Sequence, residues 1–131
     1  MKIAAITDDG QTISQHFGRA NYYLVVTVEN GQLVTREMRD KLSHTHFANE
    51  PHTSSPSHAH GFGAEEQGRH ARMAQAITDC QVLLCRGMGM GAYESMKEYG
   101  IKPIVTSIVT IDEAIKAYLD GSIVDHVDRL H

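Results

Sequence analysis

Apolar and polar positions along the 131-residue chain fall into three regimes. The first has the short runs and period-2 alternation of strands. Residues 2–7 (KIAAIT) are an apolar run that enters the polar turn Asp8-Asp9-Gly10, which predicts a first strand. Residues 22–28 (YYLVVTV) are β-branched and aromatic and predict a second. Asn30-Gly31 follows at once, a pair that accepts positive φ at both central turn positions and is the strongest short hairpin signal. Residues 32–39 (QLVTREMR) alternate apolar with polar and predict a half-buried third strand. The opening therefore reads as an antiparallel three-stranded meander.

Residues 40–63 break the pattern with Pro51, Pro56, several Ser and Thr, and little periodic apolar content. They read as a long mobile loop, of a length that is uncommon in compact domains. After it the period changes. Residues 64–79 suit a helix with His70, Met73, Ala74 and Ile77 on one side, and residues 80–85 (CQVLLC) suit a short buried parallel strand. The glycine loop 87–91 leads into a helix over about 91–99, ended by Gly100. Residues 101–105 (IKPIV) are the last strand, and Pro103 places it at a sheet edge because proline cannot donate to a ladder. Thr110-Ile111-Asp112-Glu113 is a capping box. Ile111, Ala114, Ile115, Tyr118 and Leu119 then form one apolar helical face, closed by Gly121. The fold class is α/β: a ribonuclease-H-like βββαβαβα order, with a mixed five-stranded sheet carrying helices on its faces. One domain over 1–131 is expected, interrupted by the loop at 40–63.

Charge narrows the function. A formal net charge of -4 with no Lys/Arg run gives no electrostatic case for nucleic acid or an anionic membrane. The start is not a secretory signal, and no apolar run approaches the roughly 20 residues of a membrane span. A cytoplasmic location is expected, with Cys80 and Cys85 as free thiols. The oligomeric state is left open. The compositional oddity is histidine: five of nine, His44, His46, His52, His58 and His60, lie in the long loop.

Three strings in fixed order carry a resemblance. Ile3-Ala4-Ala5-Ile6-Thr7-Asp8 is followed by Ile13-Ser14-Gln15-His16-Phe17-Gly18-Arg19-Ala20. Leu83-Leu84-Cys85-Arg86-Gly87-Met88-Gly89 comes next, with Ala92 just beyond. Tyr99-Gly100-Ile101 and Thr110-Ile111-Asp112-Glu113-Ala114 close the set. Over residues 1–39 and 64–125 the chain resembles the dinitrogenase iron–molybdenum cofactor biosynthesis family. The resemblance implies a ribonuclease-H-like fold and a role in binding or carrying a metal–sulfur cluster rather than enzymatic turnover. It also implies a cofactor-assembly or acceptor protein as partner. The His-rich loop lies outside the shared core.

The resemblance makes His16 the first candidate for contact with a cluster. Physically, an imidazole can ligate iron, molybdenum or copper, and Gly18 lets the backbone come close to a bulky group. The plainer alternative has His16 hydrogen-bonding its loop while Phe17 plugs the core. Gly87, Met88 and Gly89 sit between a strand and a helix start, where backbone N–H groups suit an anion, or where a tight turn needs small residues. Arg19 and Arg86 can add positive charge to the same mouth. Cys85, at the end of the fourth strand, is expected to face that mouth as a soft metal ligand. Cys80 is expected to pack as a small apolar residue. Met88 and Met90 can offer thioethers or apolar cover. The candidate cargo is an iron–molybdenum or molybdenum–copper cluster. The pairs His44/His46 and His58/His60 suggest an alternative, a zinc or nickel chaperone or sensor built on the loop. A third reading, a Mg²⁺-dependent nuclease-like hydrolase, would need convergent carboxylates. Asp8, Asp9 and Glu29 end strands, whereas Glu94, Asp112 and Glu113 fall on helices.

Overall fold

The computed structural model describes residues 1–41 and 70–130. Five strands form one sheet: β1 (Lys2–Thr7), β2 (Tyr22–Glu29), β3 (Gln32–Asp40), β4 (Val82–Cys85) and β5 (Lys102–Val105). Their order across the sheet is β3-β2-β1-β4-β5, so β1 is central. It pairs antiparallel with β2 and parallel with β4, and β4 pairs parallel with β5. The mixed five-stranded α/β sheet expected from the sequence is present. Asn30 and Gly31 adopt φ of 54° and 78°, the two positive values that a tight hairpin needs, and they join β2 to β3. β5 lies at the edge, as Pro103 requires. Its open side is met by the C-terminal segment: Val105 N–H donates to Asp125 Oδ1 (2.9 Å), and His126 N–H donates to the Val105 carbonyl (2.7 Å).

Three helices cover the sheet: α1, described over 70–75 and continued by turns to 79; α2 (Met90–Glu98); and α3 (Ile111–Asp120). Register assigns their faces. Tyr23 stands opposite Ile6, and its buried hydroxyl donates to the Met73 carbonyl of α1 at 2.9 Å. Arg39, opposite Tyr23, reaches the same side and forks onto Asp79 through two N–H bonds of 2.7 and 2.8 Å. That pairing holds the Asp79 carboxyl well below the usual carboxylate range. Arg36 is of opposite parity and bonds Asp112 of α3, so α3 lies on the other face. Met73, Ala74 and Ile77 are buried from the first face, and Ile111, Ala114 and Ile115 from the second.

Two expectations are corrected. β3 is not half-buried; it is exposed from Gln32 to Met38. Alternation shows that the two faces of a strand differ, not that either is covered. At this edge Arg36 reaches Asp112 of α3, and Arg39 reaches Ala76 and Asp79 after α1. Charges along β3 then serve an edge that must not pair with other chains. The helix expected over 64–79 leaves its α-helical path after residue 75, and residues 64–69 lie outside the described range.

The capping box forms as read. Thr110 Oγ1 accepts from Glu113 N–H at 3.4 Å and donates to Glu113 Oε1 at 2.7 Å. Thr110→Ala should lower stability by about 1 kcal/mol. The expected observation is a lower urea midpoint at unchanged slope.

Candidate functional site

The loops that leave the carboxyl ends of the parallel strands β1, β4 and β5 meet at one place. In an α/β sheet such ends, where connections diverge to opposite sides, favour a crevice. Thr7, buried at the end of β1, starts the first loop. Its hydroxyl donates to the Thr12 carbonyl (2.7 Å) and accepts from Gly10 N–H (2.9 Å). Asp9 completes the turn: Oδ1 accepts from the N–H groups of Gln11 and Thr12, both at 2.8 Å. These backbone donors, led by Thr12, lower its pKa to about 2. Asp8 ties the far end of the loop, accepting from Asn21 N–H (2.9 Å) and its side-chain amide (3.1 Å). Both carboxylates are therefore engaged in loop geometry through their Oδ1 atoms, while the residues stay exposed at the cavity.

The loop is then stitched to its neighbours. Ile13 N–H donates to the Val109 carbonyl beyond β5 (2.8 Å), and Phe17 N–H donates to the Gly87 carbonyl beyond β4 (3.1 Å). Residues Phe17–Arg19 make one 3-10 turn, with the Phe17 ring buried and His16 and Arg19 exposed beside it. The result is an open cavity of about 460 Å³. His16, Arg19 and Arg86 line it together with Asp8, Asp9 and the apolar walls Ile13 and Val109. A Cβ built on Gly18 meets nothing within 4 Å, so no internal contact demands glycine there.

The other sequence candidates lie elsewhere. Gly87 and Met88 are buried, and Met88 forms a bridge with Leu130. Gly89 caps α2. Gly91 is held small by its neighbour, since an added Cβ would meet His70 Cε1 at 3.0 Å. The glycine loop thus acts mainly as a tight turn, and Arg86 is the member of that segment that reaches the cavity. Cys85 does not face the mouth: it is 0% exposed, and its thiol contacts the Ile104 carbonyl at 3.6 Å. Both faces of β4 are covered, so every residue of the strand is buried, Cys85 included. Burial, with Asp125 nearby, pushes its pKa up to about 12. Cys80 is also buried, as expected. His44, His46, His52, His58 and His60 lie outside the described residues. Among the described residues no three His, Cys, Asp or Glu side chains converge as a metal site. No helix among them is long and apolar enough to cross a membrane.

Sequence reading missed Lys41. It follows β3, is 0% exposed, and holds its Nζ 4.2 Å above the centroid of the Phe17 ring. Burial lowers its pKa to about 8, against the opposing pull of Asp8. A lone lysine after a charged strand carries no sequence signal of burial.

Comparison with known proteins agrees with this architecture. The family described as dinitrogenase iron-molybdenum cofactor matches residues 1–121. An uncharacterized protein of Methanocaldococcus jannaschii is 27% identical over 123 residues, covering 94% of this chain and 89% of its own. The FeMo cofactor biosynthesis protein NifB of Frankia alni is 24% identical over 102 residues; these cover 78% of this chain and 18% of that protein. The apo orange protein of Desulfovibrio gigas shares the fold at a TM-score of 0.65 and 20% identity, over 96% of this chain and 92% of its own.

Buried, protonated thiols react slowly. Cys80 and Cys85 should give no colour with Ellman's reagent while the protein is folded, and two equivalents once it is unfolded in denaturant. Prompt reaction of one thiol in the native protein that persists in Cys80→Ala would return Cys85 to the candidate ligands.

Proposed function

We propose that this chain, which belongs to the dinitrogenase iron-molybdenum cofactor family, carries an anionic metal–sulfur cluster as cargo. The cluster is the iron–molybdenum cofactor, its precursor, or a related molybdenum, copper or iron cluster. The chain binds it without turning it over and passes it to a cofactor-assembly or acceptor protein in the cytoplasm. One observation carries this reading: His16, Arg19 and Arg86 line one open cavity at the carboxyl ends of three parallel strands.

Each residue has a chemical part. His16 is exposed and offers an imidazole nitrogen to a metal of the cluster. Arg19 and Arg86 offer guanidinium N–H groups to sulfide and neutralise negative charge. The open space beside Gly18 lets a bulky ligand approach the backbone. Weak covalent anchoring suits a cargo. A resident metal centre is usually closed by three or four protein ligands, whereas a cluster held by one imidazole and by charge can leave again. The NifB relative is named for FeMo cofactor biosynthesis, which supports the cargo class. The match covers 18% of that protein, so none of its activity is assigned here. The hydrolase reading asks for convergent carboxylates, and among the described residues no three His, Cys, Asp or Glu side chains converge.

Anaerobic addition of isolated iron–molybdenum cofactor or of tetrathiomolybdate, followed by gel filtration and metal analysis, tests this. Wild type should retain the cluster in stoichiometric amount. His16→Ala should weaken retention at least roughly tenfold without changing the urea midpoint, and Arg19→Glu with Arg86→Glu should weaken it further. Deleting residues 42–61 should leave cluster retention intact. If wild type retains no cluster but binds zinc or nickel through that loop, the carrier reading is wrong and the loop is the functional element.

A further inference from the structure

We propose that Lys41 is a buried cation kept beneath the His16 loop to attract the anionic ligand, at the expense of fold stability. This rests on the reading that the cavity takes an anion.

The placement is unusual for a lysine. Lys41 is 0% exposed, although it follows an exposed edge strand. Its backbone N–H donates to the Asn21 carbonyl at 3.0 Å, the same residue whose N–H groups hold Asp8. That bond fixes the point where the chain leaving β3 crosses the end of the first loop. The side chain then runs under the loop. Its Nζ lies 4.2 Å from the Phe17 centroid, and it donates to Met73 Sδ at 3.8 Å. A ring face and a thioether are poor replacements for water around an ammonium. The charged group of the described residues that acts on it is Asp8, whose own oxygens are bonded to Asn21 and, at 3.3 Å, to Ser14. Phe17, Met73 and Asn21, the other described groups against it, are neutral.

Such a site would suit methionine better. Methionine would keep the stem, favour the ring contact through sulfur, and bury no charge. The charge does have an outlet. Asp8, whose charge acts on the ammonium, lines the cavity, and Phe17 beneath the ammonium adjoins His16, so the charge acts on the cavity from a buried position that screens poorly. There it adds to the field of Arg19 and Arg86 while staying out of reach of solvent counterions. It also holds the Phe17 ring, and with it the 3-10 turn that presents His16.

The test compares wild type with Lys41→Met, using tetrathiomolybdate titration and ligand-free urea unfolding. Lys41→Met should bind the anion about tenfold more weakly, the effect of one charge acting through a moderate dielectric. It should also unfold at higher urea near neutral pH. The sign follows from linkage: in the folded protein Lys41 titrates near 8, against 10.5 unfolded. Below about 8 it is charged in both states and its burial is costly; between the two values the folded state sheds the proton and wild type gains stability. The advantage of Lys41→Met should therefore shrink as pH rises through that window. Should the variant fail to fold, wild type alone decides the matter. Its affinity for tetrathiomolybdate should fall as pH rises through about 8, and a flat profile overturns the proposal. Equal binding by wild type and Lys41→Met, or lower stability of the variant at every pH, makes Lys41 a structural residue and leaves the carrier reading standing. No binding of tetrathiomolybdate by wild type at any pH overturns this inference, and the carrier reading is then decided by retention of isolated iron–molybdenum cofactor.

Discussion

The parallel pairing of β1 with β4 holds the rest of this structure together. Ile3, Ala4 and Ala5 lie against Val82, Leu83 and Leu84, residues far away in sequence and buried on both sides. Without this seam the N-terminal meander and the later β-α units would be two separate half-sheets with nothing to bury their faces. With it, the loop after β1 and the loop after β4 leave the sheet side by side and in the same direction. That juxtaposition brings Arg86 to His16 and Arg19. Ala4 and Ala5, of opposite parity, are both buried, so the central strand is covered on both faces.

The cavity is built by using polar groups against one another so that others remain free. Thr7, Asp9 and Thr12 satisfy each other and the turn around Gly10, and Asp8 is spent on Asn21 and Ser14. Both carboxylates serve as fasteners of the loop and keep their negative charge. The cationic side chains carry no such structural duty in the loop. An acidic protein can thus bring two arginines and an imidazole to one cavity, beside two carboxylates that the loop itself uses. Lys41 extends the same logic below the surface, where a charge is more expensive to keep and more effective once kept.

Much of the fold was legible because it rests on local chemistry. Asn30-Gly31 has one good conformation, and it produced the hairpin. Thr110 and Glu113 satisfy each other within one helical turn, and they produced the cap. Pro103 cannot donate, and β5 is an edge. The site was legible in part: His16, Arg19 and Arg86 do line one cavity, but the glycines of 87–91 do not. Their tightness answers the His70 ring and the buried path of Met88, neither of which is local in sequence.

What the sequence determined by itself was therefore the set of elements, their periods and their ends, since those depend on residues within a turn or two of each other. Only the tertiary structure decided which strand lies uncovered, which way Cys85 points, and that a lysine is buried. Each of these depends on partners brought in by the sheet. β3 is exposed along most of its length although β5, at the other edge, is covered, and Cys85 is sealed because both faces of β4 are covered. Lys41 is buried because the end of β3 passes beneath a ring set by β1 and β4.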